Sequence, residues 1–573
     1  MSAVRRLATP PVLLAGVAAV SAGLLIAWQS HLTFLIDDWD LLLHRRGISA
    51  DSLLDPHARH LIIGPAIVYK AIQATFGMDG RFPYAVASTG TFIASVVLLF
   101  VYLRRRVGDW LALAAVIPIL FMGPAYEDLL SSFQICYFGS MAFGIGALLA
   151  IRRSDHRGDV IACALLVASL AFAEIALAFA AGVAVALALD RGPLRRAWVV
   201  GIPLVLYLIW FVVWGHSGSH LGPNSLSFTN VASSPAYILD GFASSLGSLL
   251  GLGTPALFGG TGGLEWGRPL LVGLVALAAI AALRSRFPVR SWLLVALAVG
   301  VSFWFLTGAN AALGRPPFAS RYQYVGAVFV LMVAAEFIAA WRPGWRPDWR
   351  AALAAFAVAG LVTISNVSTL HQSYRALSGL SAVVRGGLAG LEIGADSANP
   401  DLVLTQQNSD FNYFTWVDAG SYLSAVDKFG SPAYSQAELP SAPEPARVAA
   451  DKVLSAALGL TFQPLSRPPA PGTTAPRVVG PPGAVVGTSP GCLTVRRVGG
   501  ALPVLELPPG GVILSTPPGA TAAVSLRRFA TASFPIVAGT VSGSARLDIP
   551  EDRSSRPWEL QLDPTDRVTV CGE

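Results

Sequence analysis

The stretch PVLLAGVAAVSAGLLIAWQSHLTFLIDDWD, residues 11–40, decides how this chain is placed in its surroundings. Its apolar part is about 18 residues long, enough for a helix to cross the hydrocarbon core of a bilayer. Three carboxylates, Asp37, Asp38 and Asp40, follow close behind. Clustered charge at a membrane boundary costs free energy unless it faces water, a partner or a substrate. The stretch therefore predicts a membrane helix that presents an acidic segment at one membrane surface.

The composition extends this prediction to the whole chain. Of its 573 residues, 54% are hydrophobic and 13% are charged, and the mean hydropathy is +0.58. Soluble domains carry roughly 25% charged residues, so a polytopic α-helical membrane protein is predicted. Arginines at the ends of spans account for most of the net charge of +6, which therefore does not indicate nucleic-acid binding. Four cysteines are too few for a disulfide framework or a cysteine-rich metal site.

Apolar runs predict about eleven spans, at residues 11–29, 83–103, 110–123, 133–151, 160–174, 175–189, 198–214, 268–283, 291–307, 322–340 and 351–368. Arginine-rich connections alternate with connections poor in arginine, and the positive-inside rule places the former in the cytoplasm. These arginines are Arg5, Arg6, Arg104, Arg105, Arg106, Arg152, Arg153, Arg157, Arg191, Arg195, Arg196, Arg284, Arg286, Arg290, Arg342, Arg346 and Arg350. The pattern predicts a plasma-membrane protein with a cytoplasmic N-terminus and an extracytoplasmic C-terminus.

Two apolar segments depart from this simple pattern. Residues 159–189 form a run of about 31 residues with Glu174 near its middle, which is too long for one straight crossing. Two short spans that meet near Glu174 are predicted, and one long helix with a neutralised Glu174 is the alternative. Residues 60–76 have apolar residues at helical spacing together with Tyr69 and Lys70, which predicts an interfacial helix on the outer leaflet. A further true span is the alternative there.

The chain changes character near residue 370, where long apolar runs end. We predict a membrane domain over 1–370, an extracytoplasmic polar and Pro/Gly-rich connecting region over 371–490, and a small β-sandwich-like domain over 491–573. Short alternating runs separated by turn residues support the last of these. Cys492 and Cys571 flank this mainly-β domain, and in an oxidising compartment outside the membrane they are expected to form a disulfide.

The polar residues predicted on the outer side of the membrane form the candidate site. They are Asp37, Asp38, Asp40, Asp55, His57, His60, Glu127, Asp128, Glu174, Arg315 and Arg321. Carboxylates that face a few arginines suit a general base and an anionic donor. His57 and His60 could share one face of a helix and form a metal triad with Asp55, although contact with a lipid headgroup or an acceptor is the preferred interpretation.

These features resemble the GT-C superfamily of integral membrane glycosyltransferases. Its members include protein O-mannosyltransferases, the lipid A aminoarabinose transferase, oligosaccharyltransferase catalytic subunits and mycobacterial arabinosyltransferases. The resemblance covers residues 1–370 and rests on the first span, the outer Asp pair, the interfacial helix, the span number and the extracytoplasmic C-terminal domain. The stretch Asp55–His60 is similar to actinobacterial members. The Trp-Trp-Asp-Tyr-Gly block of oligosaccharyltransferases is absent from the sequence, which argues against transfer to Asn.

The resemblance implies that a sugar moves from a polyprenyl-phosphate carrier in the bilayer to a cell-envelope glycan, lipid or protein, with inversion. It implies a general base at Asp37 or Asp38, with Asp37 favoured as the first of the pair, and Asp40 orienting its neighbours. Arg321 is the first candidate for binding the donor phosphate and Arg315 the second. The candidates for an acceptor site or a second acidic site are Glu127, Asp128 and Glu174. No cofactor is definite, and a divalent metal, Mg²⁺ or Mn²⁺, stays open.

Simpler roles exist for each of these residues. The Asp pair could merely solvate the end of its span, Glu127 and Asp128 could belong to a solvated loop, Glu174 could form a structural ion pair, and Arg321 could snorkel to the interface. At the level of the whole protein, a flippase for lipid-linked saccharides and a non-catalytic glycan-binding scaffold are the alternatives. Transporters usually contain paired halves with broken helices, whereas this sequence has no convincing internal repeat.

Overall fold

The structure of the protein is a computed structural model that describes residues 9–573, except 46, 59, 191–192, 216–226, 286–290, 312–314, 342–347, 405–416, 468–471 and 473. The chain divides into two units. The membrane unit comprises Met1–Leu32, Arg45–Thr75 and Arg81–Leu377, and the C-terminal unit comprises Thr33–His44, Phe76–Gly80 and Ser378–Glu573. Seven of the arginines used for the topology prediction lie outside the described residues, namely Arg5, Arg6, Arg191, Arg286, Arg290, Arg342 and Arg346.

Long apolar helices dominate the membrane unit. Within the described ranges, seven helices are long and apolar enough to cross a bilayer: Pro10–Ser30, Phe82–Val107, Ser132–Ile151, Leu264–Ala281, Ser291–Ala309, Ser320–Trp341 and Trp349–Ile393. The number rises to eight if the bent pair Asp109–Phe121 and Gly123–Leu130, whose axes differ by 49°, is one span. The predicted fold class, a polytopic helical membrane protein with a C-terminal β region, is confirmed.

The other predicted spans correspond to shorter helices. His156–Phe172 has 17 residues, Ile175–Ala188 has 14 and Trp198–Val213 has 16. Ala173 is extended (φ −165°, ψ 159°) and separates the first two of these helices directly before Glu174. The chain therefore breaks at Glu174, as predicted. A straight crossing takes about 20 residues, so these shorter helices do not establish one crossing each, and the number of eleven spans stays a prediction. The placement of the C-terminal unit outside the membrane also stays a prediction.

The remaining helices and helical turns complete the membrane unit. They are Ala50–Leu54, Ile63–Phe76, Pro118–Phe121, Gly123–Ala125, Tyr126–Leu130, Ser132–Gln134, Pro193–Arg196, Phe228–Leu249 and Ala256–Phe258. The 22-residue helix Phe228–Leu249 was not predicted, and it buries Gly241, Ser244 and Ser245. A Cβ on Gly241 would lie 2.3 Å from the Trp304 ring. Small side chains thus let this helix pack closely against its neighbours, as they do between membrane helices in general.

A buried charge cluster joins two of the long helices. Arg106 Nε donates to Glu336 Oε1 at 2.6 Å, and the Tyr102 hydroxyl donates to the same oxygen at 2.8 Å. The side chains of Arg106 and Glu336 are 2% and 5% exposed. Removing one partner of such a pair would leave an uncompensated buried charge, so each helix fixes the other at this point.

Two antiparallel sheets form the core of the C-terminal unit, next to the helices Ala419–Phe429, Leu439–Ser441 and Glu444–Ala457. The strands are β1 (Phe462–Leu465), β2 (Arg477–Gly480), β3 (Val485–Ser489), β4 (Cys492–Arg496), β5 (Val504–Glu506), β6 (Gly510–Ser515), β7 (Thr521–Arg527), β8 (Ile536–Ser542), β9 (Ser544–Ile549), β10 (Glu559–Pro564) and β11 (Arg567–Gly572). One sheet has the order β1-β9-β6-β11-β4-β3 and the other β2-β5-β10-β7-β8. The strands thus begin before residue 491, and the two predicted boundaries between the three domains stay predictions.

Alternating burial along the strands produces one shared hydrophobic cluster. Buried side chains of both sheets meet in it, among them Leu514 and Val570 of the first sheet and Val524 and Leu560 of the second. Strands β4 and β11 pair so that Cys492 lies opposite Cys571, and their Sγ atoms form a disulfide. The last strand of the chain is thereby bonded covalently to the interior of its sheet.

Asp451 connects the helix Glu444–Ala457 to the turn after β7. Its carboxylate accepts the backbone N–H groups of Arg528, Phe529 and Ala530 at 2.8–3.0 Å. The Asp451 side chain is fully buried. Buried N–H groups that lose their acceptor keep the whole cost of desolvation, so this carboxylate fixes both the helix and the turn.

We predict that Asp451→Ala lowers the free energy of unfolding of the C-terminal unit by about 3 kcal/mol, because three buried donors lose their acceptor. Denaturant unfolding in lipid nanodiscs measures the loss, and faster amide hydrogen exchange at residues 528–530 locates it. Asp563→Ala is the matched control, since Asp563 forms only an exposed pair with Arg497. Equal stability of the two variants would contradict the role assigned to Asp451.

Candidate active site

The predicted acidic segment belongs to the C-terminal unit, in which Thr33–His44 is included. The Asp38 carboxylate accepts the Leu35 backbone N–H at 3.0 Å, and the Asp38 N–H donates to the Leu35 carbonyl at 3.1 Å. Asp38 is 0% exposed, whereas Asp37 is half-buried. Asp38 therefore closes a tight turn, and Asp37 is the more accessible carboxylate of the pair.

Backbone strain is located directly before Asp37. Ile36 has φ +47°, in the left-handed region that a β-branched residue rarely adopts. Such strain costs about 1–3 kcal/mol and persists where surrounding contacts impose it, often at functional sites. Here the Asp38 hydrogen bonds close the turn around Ile36. The turn that carries the acidic pair is therefore held in a defined geometry.

Aromatic packing holds the residues that follow the pair. Trp39 is fully buried, and its ring meets Phe34 at 5.8 Å and Tyr422 at 5.9 Å between centroids. The Tyr422 hydroxyl donates to Glu392 at 2.7 Å, and burial together with this carboxylate raises the pKa of Tyr422 well above its usual value. Trp39 thus connects the acidic turn to the helix Ala419–Phe429.

A single π-helical turn, Asp40–His44, ends the acidic segment. Asp40 is buried at its start, and His44 Nε2 at its end lies 3.7 Å from Asp418 Oδ2. Isolated π-turns occur frequently at functional sites. Asp40 therefore directly follows the turn that contains Asp37 and Asp38, and its role in orienting its neighbours stays a prediction.

The second group of predicted residues lies within the membrane unit. Glu127 and Asp128 belong to the short helix Tyr126–Leu130, and the Glu127 N–H donates to Ser320 Oγ at 3.1 Å. Ser320 begins the helix that carries Arg321. Asp128 is fully buried and lies close enough to Glu127 and Arg321 for electrostatic interaction. Two acidic residues and an arginine that are far apart in sequence thus come together.

Tyrosines that were not predicted surround Arg321. Its guanidinium lies 5.4 Å from the centroid of the Tyr322 ring and interacts electrostatically with Tyr137. Tyr237 interacts electrostatically with Arg315 and Arg321, and its hydroxyl donates to the Arg315 carbonyl at 2.9 Å. We call Glu127, Asp128, Tyr137, Tyr237, Arg315, Arg321 and Tyr322 the arginine–tyrosine cluster. Two arginines with several hydroxyl donors are well suited to bind a phosphate group.

The residues between the first two predicted spans are arranged differently from the proposed metal triad. His57 and His60 exchange backbone hydrogen bonds in a tight turn instead of sharing a helical face. The His57 ring packs against Phe133 at 5.0 Å, and Asp55 is exposed and accepts Arg45 Nη1 through its backbone carbonyl. Over the part of the chain that is described, no group of three His, Cys, Asp or Glu side chains could hold a metal ion.

Glu174 has a partner that the sequence did not indicate. Its Oε2 lies 2.7 Å from His60 Nδ1, and its Oε1 accepts the Tyr207 hydroxyl at 2.9 Å. Glu174 is therefore paired with a histidine and a tyrosine, and its contact with His60 is an ion pair when the imidazole is protonated. A carboxylate that interrupts an apolar run was the available sequence signal, but its partners come from distant parts of the chain.

No protein-family model and no curated protein matches this chain. Among solved structures, the crystal structure of ArnT from Cupriavidus metallidurans bound to undecaprenyl phosphate is similar over 68% of this chain and 81% of that chain. The sequence identity is 13% and the TM-score is 0.39. A similarity at this level does not assign a function, which has to be argued from the residues of the chain itself.

We predict that Asp38→Ala destabilises the protein by about 1–3 kcal/mol, because it removes a buried acceptor from the Leu35 N–H. Asp37→Ala should cost clearly less, since Asp37 is half-buried. Thermal unfolding in lipid nanodiscs measures both changes, and hydrogen exchange at the Leu35 amide reports the turn itself. An equal loss in the two variants would contradict the different roles of the two carboxylates.

Proposed function

We propose that the protein is a membrane glycosyltransferase that moves a sugar from a polyprenyl-phosphate carrier to a hydroxyl group of a cell-envelope glycan, lipid or protein on the extracytoplasmic face. The observation that carries this proposal is the arginine–tyrosine cluster. It collects two arginines and three tyrosines beside two carboxylates within the membrane unit. A phosphate attached to a membrane lipid is the anion that matches such a position.

The donor phosphate is assigned to Arg321, with Arg315 in support. A guanidinium binds phosphate oxygens through parallel N–H donors and stabilises the negative charge that develops as the sugar departs. Arg321 is half-buried and lies beside Tyr322 and Tyr137. The neighbouring Glu127 and Asp128 are assigned to the acceptor side of the reaction.

The general base is assigned to Asp37. The acceptor hydroxyl transfers its proton to the carboxylate as its oxygen forms the new bond to the sugar C1. The bond from C1 to the phosphate oxygen breaks, and its electron pair leaves with the polyprenyl phosphate. One direct displacement of this kind inverts the configuration at C1. The accessibility of Asp37 and the structural engagement of Asp38 support this choice between the two.

A flippase for lipid-linked saccharides is the second candidate function, because the arginine–tyrosine cluster could bind the same phosphate without chemistry. The two functions differ in the need for Asp37. A flippase requires the phosphate site alone, whereas a transferase also requires a group that accepts the proton of the acceptor.

We predict that purified protein in lipid nanodiscs transfers sugar from one member of a panel of radiolabelled polyprenyl-phosphate sugars. Asp37→Asn should reduce turnover about 10²–10⁴-fold because it removes the base. Arg321→Gln should reduce turnover about 10²–10³-fold. Arg321→Lys should remain impaired, because an ammonium group does not replace a bidentate guanidinium.

Arg268→Gln is the matched control, since Arg268 is exposed and paired with Asp240 in the same unit. It should keep wild-type turnover. Donor binding that survives in Asp37→Asn, with no turnover of any donor by the wild type, would favour the flippase and reject the transferase.

A further inference from the structure

Three side chains of the membrane unit form a chain of hydrogen bonds outside the arginine–tyrosine cluster. The Tyr207 hydroxyl donates to Glu174 Oε1 at 2.9 Å, and Glu174 Oε2 lies 2.7 Å from His60 Nδ1. The His60 side chain is 43% exposed and that of Glu174 is 23% exposed. The histidine is therefore the member of the chain that a ligand can reach.

The backbone at His60 is fixed from its other side. His60 N–H donates to the His57 carbonyl at 2.7 Å, and His57 N–H donates to the His60 carbonyl at 3.0 Å. Between them Ala58 adopts φ +44°, a conformation that L-residues other than Asn, Asp and His seldom use. Both the main chain and the ring of His60 are thus held in one orientation, and local strain accompanies this arrangement.

The helices behind this group are also closely packed. A Cβ on Gly64 would lie 2.5 Å from the Phe172 ring, and a Cβ on Gly139 would lie 2.1 Å from the same ring. Gly64 follows His60 by four residues, and Phe172 precedes Glu174 by two. The Phe172 ring therefore occupies space that only glycine leaves open, and it fixes His60 and Glu174 relative to one another.

The contact with Glu174 favours the neutral tautomer of His60 in which Nδ1 carries the proton. A carboxylate accepts from Nδ1–H, so the neutral ring keeps its lone pair on Nε2. Among the described residues no hydrogen bond to Nε2 is present. A buried or oriented imidazole with a free, accessible nitrogen is an acceptor for the hydroxyl group of a ligand.

The position of this group relates it to the donor site. Ser140 Oγ donates to the Ala173 carbonyl at 3.1 Å, at the break before Glu174. Tyr137, a member of the arginine–tyrosine cluster, precedes Ser140 by three residues on the helix Ile135–Ile151. Three residues are less than one helical turn. Both groups therefore lie at the same end of this helix within the membrane unit.

We propose that His60 is an acceptor-binding residue, whose Nε2 accepts a hydrogen bond from a hydroxyl group of a carbohydrate acceptor. Glu174 and Tyr207 are positioning residues that fix the ring and its tautomer. This inference rests on the proposed glycosyl transfer and adds to it a recognition site for the acceptor, separate from the base at Asp37 and the phosphate site at Arg321. The substrate class it names is a neutral, hydroxyl-rich sugar.

Kinetics with a panel of methyl glycosides as acceptors tests the proposal in the full-length protein in nanodiscs. His60→Ala should raise the acceptor KM about tenfold, the loss expected for one hydrogen bond, with a smaller change in kcat. His60→Gln, which keeps a side-chain acceptor, should recover part of the affinity, and Glu174→Gln should lose part of it. The matched control is His31→Ala, because His31 is exposed and bonds only the Ala27 carbonyl of its own helix. An unchanged acceptor KM in His60→Ala would overturn the inference and leave the transferase intact.

Nitrogen NMR of histidine-labelled protein gives a readout that does not depend on turnover. The chain has eight histidines, and the signal missing from His60→Ala identifies the one of interest. We expect its Nδ1 to be protonated and its Nε2 to shift on addition of methyl glycosides, and both features to be lost in Glu174→Gln. If no donor is turned over but Nε2 responds, the site stands and the proposed function fails. A ring with the opposite tautomer, or without any response, rejects the site.

Discussion

The cost of placing charge and unpaired backbone in a hydrocarbon core governs this molecule. Without water, each exposed N–H, C=O or charged side chain costs several kcal/mol. The membrane unit meets this constraint with apolar helices and with charges that have specific partners, such as Arg106 with Glu336. Glu174 lies at a point where an apolar run is interrupted, and it too has partners. Charged groups within this unit are thus tolerated where specific partners compensate them.

The sequence predicts those parts of the fold that depend on local composition. Most long apolar runs appear as helices close to their expected bounds, although the helix of the last run continues to Ile393. The break at Glu174 follows from the length of the run alone. The helix Phe228–Leu249 escaped prediction because its serines and glycines lower its hydropathy, although these small residues are what allow it to pack. The early strands β1–β3 were missed for a related reason, since the proline and glycine residues around them are typical of a linker.

The candidate site shows where local reasoning ends. The sequence named individual polar residues, but it did not indicate their partners. His60 and Glu174 are 114 residues apart, and only the tertiary structure brings them together. The difference between Asp37 and Asp38 likewise depends on a turn that the Asp38 side chain closes. Tyr137 carried no sequence signal, because a tyrosine near the end of a membrane helix is common at any interface. Tyr237 lies inside the helix Phe228–Leu249, which was not predicted.

The inclusion of Thr33–His44 in the C-terminal unit has a consequence for the order in which the protein is made. Thr33 N–H donates to Ser381 Oγ, and 348 residues separate them. Trp39 contacts Tyr422 and His44 contacts Asp418, and both of these partners lie later in the chain than Ser381. Ribosomes add about 5–20 residues per second, so these partners emerge roughly 17–70 s after the acidic segment. Membrane helices can insert during that time, but the turn that presents Asp37 cannot yet be closed by its native contacts. A nascent or truncated chain thus has a membrane domain without an assembled acidic segment.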